Sequence, residues 1–443
     1  MQRRSILAAA PIFAALTLSV FAPAAFAQSG APPLPLAQPR EVGFDSERLA
    51  RIRPAIEREV TEGRLPGAVV MVARRGRIVF SDAIGFRDKP ANAAMAVDNI
   101  FRIYSMTKPF TSVAAMILVE EGRLQLTDPV GRYLPGFDRL QVATPTANIA
   151  LGRLTYSNVP QQRQMTVQDL LRHTSGLTYP ETTGVQPLRE ALVQRGFATN
   201  GGADYDARAM SPSDFVARLA QVPLMHQPGT TFEYSLSTDV LGRVVEAASG
   251  QGLEVFLEER LFRPLGMRDT AFALRDGQAP RLAAHLGGDW ARNNAPVAML
   301  DVSRPPGNAS GGAGAISTAS DYLRFIQMMA NGGQLDGVRI LSPATVRLMT
   351  SDHLTGLAQP APPGALGTPG FGFGLGFAVR LADGVAGVPG NAGQYMWAGY
   401  GGTYFWVDPR AELVGVFMSQ APSAERAMHR RLIQTLVYSA MTD

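Results

Sequence analysis

Strand-forming runs stand near both ends of this chain and helical periodicity fills its middle, an order that requires one sheet assembled from distant parts of the sequence. At the front, Val69-Val70-Met71-Val72 and Arg77-Ile78-Val79-Phe80 flank Arg74-Arg75-Gly76 and read as a β-hairpin. An amphipathic helix capped by Ser46 precedes it, with Leu49, Ile52, Ile56 and Val60 as its apolar stripe. Residues 28 to 44, rich in Pro and Ala, read as an extended leader, so order is expected to begin near Ser46. At the back, Thr403 to Val407 and Leu413 to Ser419 surround the turn Asp408-Pro409-Arg410, and a last helix runs from about Ser423 to Met441. The periodic segments between are helical: 105 to 121, Thr166 to Arg172, Ser211 to Ala220, Leu236 to Ala248 and Leu253 to Leu261. A cleft is expected where sheet and helices meet.

Composition removes several functions. With 46% hydrophobic and 18% charged residues in 443, the chain is globular and not disordered. A net charge of +4 without a Lys/Arg block leaves no footprint for nucleic acid. Cysteine is absent, which excludes disulfides, thiolate nucleophiles and iron–sulfur sites. The five histidines form no H-E-x-x-H or H-x-H pair, so no metal site is expected. Phe371-Gly372-Phe373-Gly374-Leu375-Gly376 does not link a strand to a helix as a dinucleotide loop must, and reads instead as a strand near the substrate pocket. No G-x-S-x-G elbow occurs. No organic cofactor is implied.

The amino-terminal segment reads as an export signal: Arg3 and Arg4, an apolar run from Ile6 to about Phe21, and the small-residue site Ala25-Phe26-Ala27, with cleavage before Gln28. A general secretory signal and a twin-arginine signal both fit. No later apolar run reaches the ~18 residues a membrane span needs. An exported protein, periplasmic or secreted, is expected, nearly neutral with 39 bases against 37 acids after cleavage.

Of 41 basic residues only Lys89 and Lys108 are lysine. Arginine keeps its proton, whereas a buried lysine can release one, so a lysine retained at 108 suits a proton-transfer role. Ser105 stands three residues earlier, on the same face of a helix, and Ser105-Met106-Thr107-Lys108 is the chain's one S-x-x-K. A serine N-cap followed by a solvated lysine gives the same spacing, so the four residues alone leave both readings open.

Further blocks separate them. Tyr104-Ser105-Met106-Thr107-Lys108-Pro109-Phe110 with Leu118-Val119-Glu120-Glu121-Gly122-Arg123-Leu124 resembles the nucleophile helix of the serine β-lactamase and penicillin-binding protein superfamily. Asp169-Leu170-Leu171-Arg172-His173-Thr174-Ser175-Gly176-Leu177 resembles a block of its class C branch, and Pro228-Gly229-Thr230-Thr231-Phe232-Glu233-Tyr234-Ser235 the segment of that branch's second motif. Trp397-Ala398-Gly399-Tyr400-Gly401-Gly402 resembles the third-motif strand of family VIII carboxylesterases. The resemblance implies an α/β fold of the α+β type, β-lactamase/transpeptidase-like. In it an antiparallel sheet is flanked by helices (about 45–115 and 305–443) and accompanied by a helical lobe (about 116–304), in a single domain over 28–443.

It also implies a mechanism. Two tyrosines compete for the second motif: Tyr156-Ser157-Asn158 fits Y-x-N to the letter, but it precedes the His173 block among polar and turn residues, whereas Tyr234 follows that block at a helix start. Tyr234 is preferred and Tyr156 expected on a surface loop. Ser105 then attacks an acyl group and Lys108 with Tyr234 moves the proton. A cation beside the phenol favours its anionic form. By resemblance the N–H groups of Ser105 and Tyr400 form the oxyanion hole, Gly399 lets substrate approach, and Trp397 lines the site. His173 is placed in a structural turn. Leu236 stands where the β-lactamases carry an amide, and Trp397-Ala398-Gly399 lacks their cation, which implies an uncharged acyl substrate and points to small-molecule esters. A β-lactamase or D-Ala peptidase is the alternative, and a penicillin-binding or sensory domain without turnover the non-enzyme alternative. The Tyr179 to Asp206 and Gln359 to Gly370 loops are expected to shape the entrance.

Overall fold

The eight residues Gly67–Arg74 are buried without alternation, which a strand achieves only when both its faces are covered. This strand, β1, lies inside an eight-stranded antiparallel sheet seen in the computed structural model, which describes residues 34–148, 153–197, 209–286, 299–357 and 369–443. The expected export signal, and the parts of the two entrance loops at 198–206 and 359–368, lie outside the described residues.

β1 turns back into β2 (Arg77–Asp88) through Arg75 (φ 52) and Gly76 (φ 71), the paired positive φ values of a type I′ turn, and β2 continues to β3 (Ala93–Ala94). Among the described residues, three small pairs lie outside this sheet. β4 (Phe101–Arg102) and β7 (Ile316–Ser317) form one, β5 (Gln141–Asn148) and β6 (Arg153–Pro160) a hairpin, β8 (Gln334–Leu335) and β9 (Val338–Arg339) another. The carboxyl-terminal strands are β10 (Phe371–Phe373), β11 (Ala378–Arg380), β12 (Tyr395–Ala398), β13 (Tyr404–Asp408) and β14 (Leu413–Ser419). They run in sequence across the sheet until β14 pairs with β1, with Val70 opposite Phe417. The two chain ends therefore share one sheet, joined at β14·β1.

The helices are α1 (Ser46–Leu49), α2 (Ile52–Thr61), α3 (Lys108–Glu120), α4 (Val167–Leu171), α5 (Gln186–Gln194), α6 (Pro212–Leu219), α7 (Ser237–Ser249), α8 (Leu253–Leu257), α9 (Ala319–Ala330), α10 (Pro343–Met349) and α11 (Arg426–Ser439). Successive strand residues point to opposite faces, so β13 reveals the layers. Phe405 meets Tyr322 of α9 with ring centroids 5.2 Å apart, while the neighbouring Tyr404 donates to Gln434 of α11 at 2.8 Å. The sheet is thus covered by α9 on one face and α11 on the other. α3 is buried from Lys108 through Leu118, as a helix packed on all sides must be. Its Phe110 ring meets Phe262, Tyr322 and Phe325.

Four expectations are corrected. The amino-terminal helix is capped by Asp45, whose carboxylate accepts from the Arg48 N–H at 2.9 Å, and it breaks at Ala50–Arg51 into α1 and α2. The leader is ordered from Leu34 onward: Leu34, Val42 and Phe44 are buried and Leu36 bridges Ile78. Those apolar residues, spaced among prolines, were enough to dock it. The helical middle contains the β5–β6 hairpin, so Tyr156 sits on a strand opposite Pro145 and not on a loop. The ribbon is rich in Thr, Ser and Asn and carries no apolar alternation to announce it. The helix after Leu253 loosens into a π turn at Glu258–Phe262.

Trp406 on β13 stands opposite Gly415 on β14, and a Cβ on Gly415 would lie 2.2 Å from the indole. Gly415→Ala should therefore force the ring to shift and lower stability by about 1–3 kcal/mol, the usual cost of overpacking. Urea unfolding followed by tryptophan fluorescence measures it; an unchanged midpoint would contradict the contact.

Candidate active site

Tyr104–Thr107 form one 3₁₀ turn that runs directly into α3, so Ser105 lies on the turn and Lys108 opens the helix. A continuous helix from 105 was expected. The tighter turn serves the same end, because residues three apart eclipse in 3₁₀ geometry. Lys108 Nζ lies 3.4 Å from Ser105 Oγ. Tyr104 enters the turn at φ 46, a left-handed conformation that costs a non-glycine residue about 1–2 kcal/mol. Its surroundings enforce it. The Ile103 N–H donates to Ala315 O at 3.1 Å, the Tyr104 ring meets Tyr400 edge-on at 5.7 Å, and Tyr322 Oη donates to Met106 O at 2.9 Å.

Lys108 is 1% exposed. Its Nζ donates to Gly312 O at 2.8 Å and Tyr179 Oη at 3.0 Å, besides Ser105. None of these partners is a carboxylate. The amine also lies 4.7 Å from the Tyr234 ring centroid and 5.5 Å from that of Tyr179, within cation–π range. Tyr234 is thus beside the lysine, as expected, but presents its ring face. The phenol hydrogen-bonded to the amine is Tyr179, which sequence reasoning placed only in an entrance loop. Tyr156, by contrast, is not among the residues lining the cavity at Ser105.

The Gly312 carbonyl was also missed. It belongs to Ser310-Gly311-Gly312-Ala313-Gly314, a glycine-rich run whose density was the available signal. A Cβ on Gly312 would meet Asp239 Oδ2 at 2.3 Å. Asp239 of α7 holds the loop by accepting from Ser310 Oγ at 2.6 Å and the Gly312 N–H at 3.2 Å.

His173 is structural in its contacts. It is buried at φ 57, with its ring 4.9 Å from Tyr234 and 5.5 Å from Phe373. Burial, then the Lys108 charge, keeps its imidazole neutral, well below the usual histidine range. The turn is anchored by Asp169, which accepts from Arg163 (2.7 Å), the Thr166 N–H (2.9 Å) and Thr174 Oγ1 (2.8 Å). Burial pushes that carboxyl up, but these partners outweigh it and hold it below the usual range.

Ser105, Tyr234, Trp397, Gly399 and Tyr400 line one cavity of about 590 Å³ with Phe371, Met396 and residues of α11. Gly399 is required by close approach, since a Cβ there would come within 2.3 Å of Ile103 O. The cavity is not free of cations, as the Trp397-Ala398-Gly399 sequence implied. Arg426, Arg430 and Arg431 of α11 all reach its wall. The i, i+4 spacing of Arg426 and Arg430, which places them on one helix face, was the signal for them. Among the described residues no group of His, Asp and Glu is arranged to hold a metal.

The beta-lactamase family model matches residues 52–438. The chain belongs to this family. Protein Rv1367c of Mycobacterium tuberculosis is 37% identical over 371 residues, 82% of this chain and 88% of the relative. Esterase EstB of Burkholderia gladioli is 32% identical over 393 residues, 84% of this chain and 90% of the relative. Among solved structures, EstCE1, described as a hydrolase with promiscuous acyltransferase activity, superposes with a TM-score of 0.71 at 27% identity, covering 89% of this chain and 98% of that one. The fold is the β-lactamase/transpeptidase fold, and the protein is of the serine hydrolase superfamily with esterase relatives.

The neutral His173 has a consequence for stability. In the unfolded chain a histidine takes up a proton below pH ~6.5, whereas the folded imidazole resists it, so unfolding binds protons and stability falls as pH drops below that value. The slope is at most about 1.4 kcal/mol per pH unit. His173→Asn, which tolerates the left-handed backbone, should lose less stability between pH 7 and 5 than the wild type in urea titrations. Equal slopes would mean that His173 does protonate in the fold.

Proposed function

We propose that the protein hydrolyses carboxylic esters of small molecules through a covalent acyl-serine intermediate. The observation that carries this is a buried lysine amine, without a carboxylate partner, 3.4 Å from a serine hydroxyl at the wall of a cavity. Ser105 attacks the ester carbonyl as its proton passes to the Lys108 group. Tyr234 and Tyr179 stand within the same cluster, and coupled sites share such a proton. The Ser105 and Tyr400 N–H groups receive the oxyanion. The alcohol departs with the proton, and water activated by the same cluster releases the acid. Trp397 and Gly399 form the wall against which the substrate lies. The kinship with Esterase EstB and with the hydrolase EstCE1 supports this reading. Leu236, fully buried at the start of α7, offers no polar group where a β-lactam amide would need one. With residues 1–27 as an export signal, the enzyme acts outside the cytoplasm.

Purified protein given p-nitrophenyl butyrate, a chromogenic cephalosporin and a D-Ala-D-Ala peptide should turn over the ester fastest. Ser105→Ala should lose ~10³-fold or more. Lys108→Arg keeps charge but not proton exchange and should lose ~10²-fold or more; near-normal activity would remove the lysine from the mechanism. Rapid stoichiometric labelling by the cephalosporin without turnover would instead make the protein a sensory domain.

A further inference from the structure

Helix α11 reaches the backbone of the site through one side chain. Arg430 Nη2 donates to the Gly399 carbonyl at 2.7 Å. Among the described residues that carbonyl is its one acceptor: Nε is buried without a partner and no carboxylate pairs with the guanidinium. Burial, then the neighbouring Arg426 charge, pulls Arg430 down to about 10. Arg430 is half-buried at the cavity wall, and a guanidinium whose hydrogen bond ends on a single carbonyl directs attention to what that carbonyl does.

The Gly399 C=O and the Tyr400 N–H are the two ends of one planar trans peptide and point in opposite directions. This peptide is fixed beside the turn that carries Ser105. The Gly399 N–H donates to Thr403 O at 2.9 Å, Thr403 Oγ1 donates to Ile103 O at 3.3 Å, and Gly399 itself is pressed against that same Ile103 carbonyl. A charged donor on the carbonyl draws electron density along the amide and strengthens its N–H as a donor, the more so away from water.

We propose that Arg430 is a positioning residue for acyl transfer: its bond to Gly399 orients and polarises the Gly399–Tyr400 peptide, so that the Tyr400 N–H better stabilises the oxyanion. The inference rests on the acyl-serine reading above. In the step concerned, Ser105 Oγ forms a bond to the ester carbon and the carbonyl π pair moves onto oxygen. The serine proton passes to the Lys108 cluster. Collapse of the oxyanion breaks the bond to the alcohol oxygen, which leaves with that proton. Arg430 touches none of the reacting atoms in this role and acts through the peptide.

The test compares Arg430→Lys (charge and donor kept), Arg430→Gln (donor alone) and Arg430→Met (neither, at similar size). Two rates are measured: p-nitrophenyl butyrate turnover, and labelling of Ser105 by a fluorophosphonate, whose P=O oxygen occupies the oxyanion position. Both should fall in the order Arg, Lys, Gln, Met, by about 10-fold or more at Met, a fraction of the loss from deleting an oxyanion donor outright. KM should stay within about twofold. If Arg430→Met fails to fold in a melting experiment, the Lys–Gln comparison carries the same test. Equal labelling rates throughout, or a loss confined to KM, would overturn the proposal. Labelling needs no ester turnover, so a wild type that labels but leaves the ester intact would sink the esterase reading while this series still decides the role of Arg430.

Discussion

The site is organised around a buried amine that, among the described residues, has no carboxylate to neutralise it. Removing an ammonium from water costs several kcal/mol unless hydrogen bonds and nearby dipoles offset it. Around Lys108 the compensation comes from one carbonyl, two hydroxyls and the faces of two aromatic rings, none of them a carboxylate. A structural acid stands one layer back. Asp239 binds the Ser310–Gly312 loop, and the loop turns the Gly312 carbonyl toward the lysine. The two adjacent glycines keep the arrangement this close, since a Cβ on Gly311 would lie 2.7 Å from Thr238 O.

That amine depends in turn on four chain segments far apart in sequence: the turn at 104–108, the loop at Tyr179, the segment at Tyr234, and the run at 310–314. The β14·β1 pairing brings the strands of the two chain ends into one sheet, while the Ile103–Ala315 hydrogen bond ties the nucleophile turn to the glycine-rich run. Tyr104 could not hold its left-handed backbone alone. Contacts from Tyr400, Ala315 and Tyr322, each from a different element, make every alternative worse. The strain is thus local to the turn that carries Ser105, and its support is spread across the fold.

What could be recognised from sequence follows from the range of each interaction. β1 and β14 are continuous apolar runs because both faces are covered, and the Ser105–Lys108 pair is separated by one turn of helix; both signals are local. The β5–β6 hairpin gives little sequence signal because its part in the core is slight, through Val142 with Val159 packed against the same cluster, and Thr, Ser and Asn fill much of the ribbon. Tyr179 escaped because its meeting with Lys108 spans 71 residues, and nothing near Tyr179 marks it apart from other loop tyrosines. Asp45 displaced Ser46 as the cap because both are good cap residues and one position decides between them. The arginines of α11 were overlooked for a different reason. Arginine is so common along this chain that nothing local sets Arg430 apart, although among the described residues it is the cation whose hydrogen bond ends on the third-motif backbone.

Helix α11 therefore holds an unusual position. It covers one face of the sheet through Tyr404–Gln434, and Tyr438 Oη donates to Asp408 at 2.6 Å. It also meets the amino-terminal helices through a buried bond between His429 and Glu59 at 3.0 Å. Arg430 lies on the same stretch of helix as these anchors. The lysine end of the site is set by the helical part of the fold and the glycine-rich run. The Gly399 end is set by the sheet and its covering helix. On the proposed mechanism the group attacked by Ser105 sits between the two, and α11 reaches it through the Gly399–Tyr400 peptide.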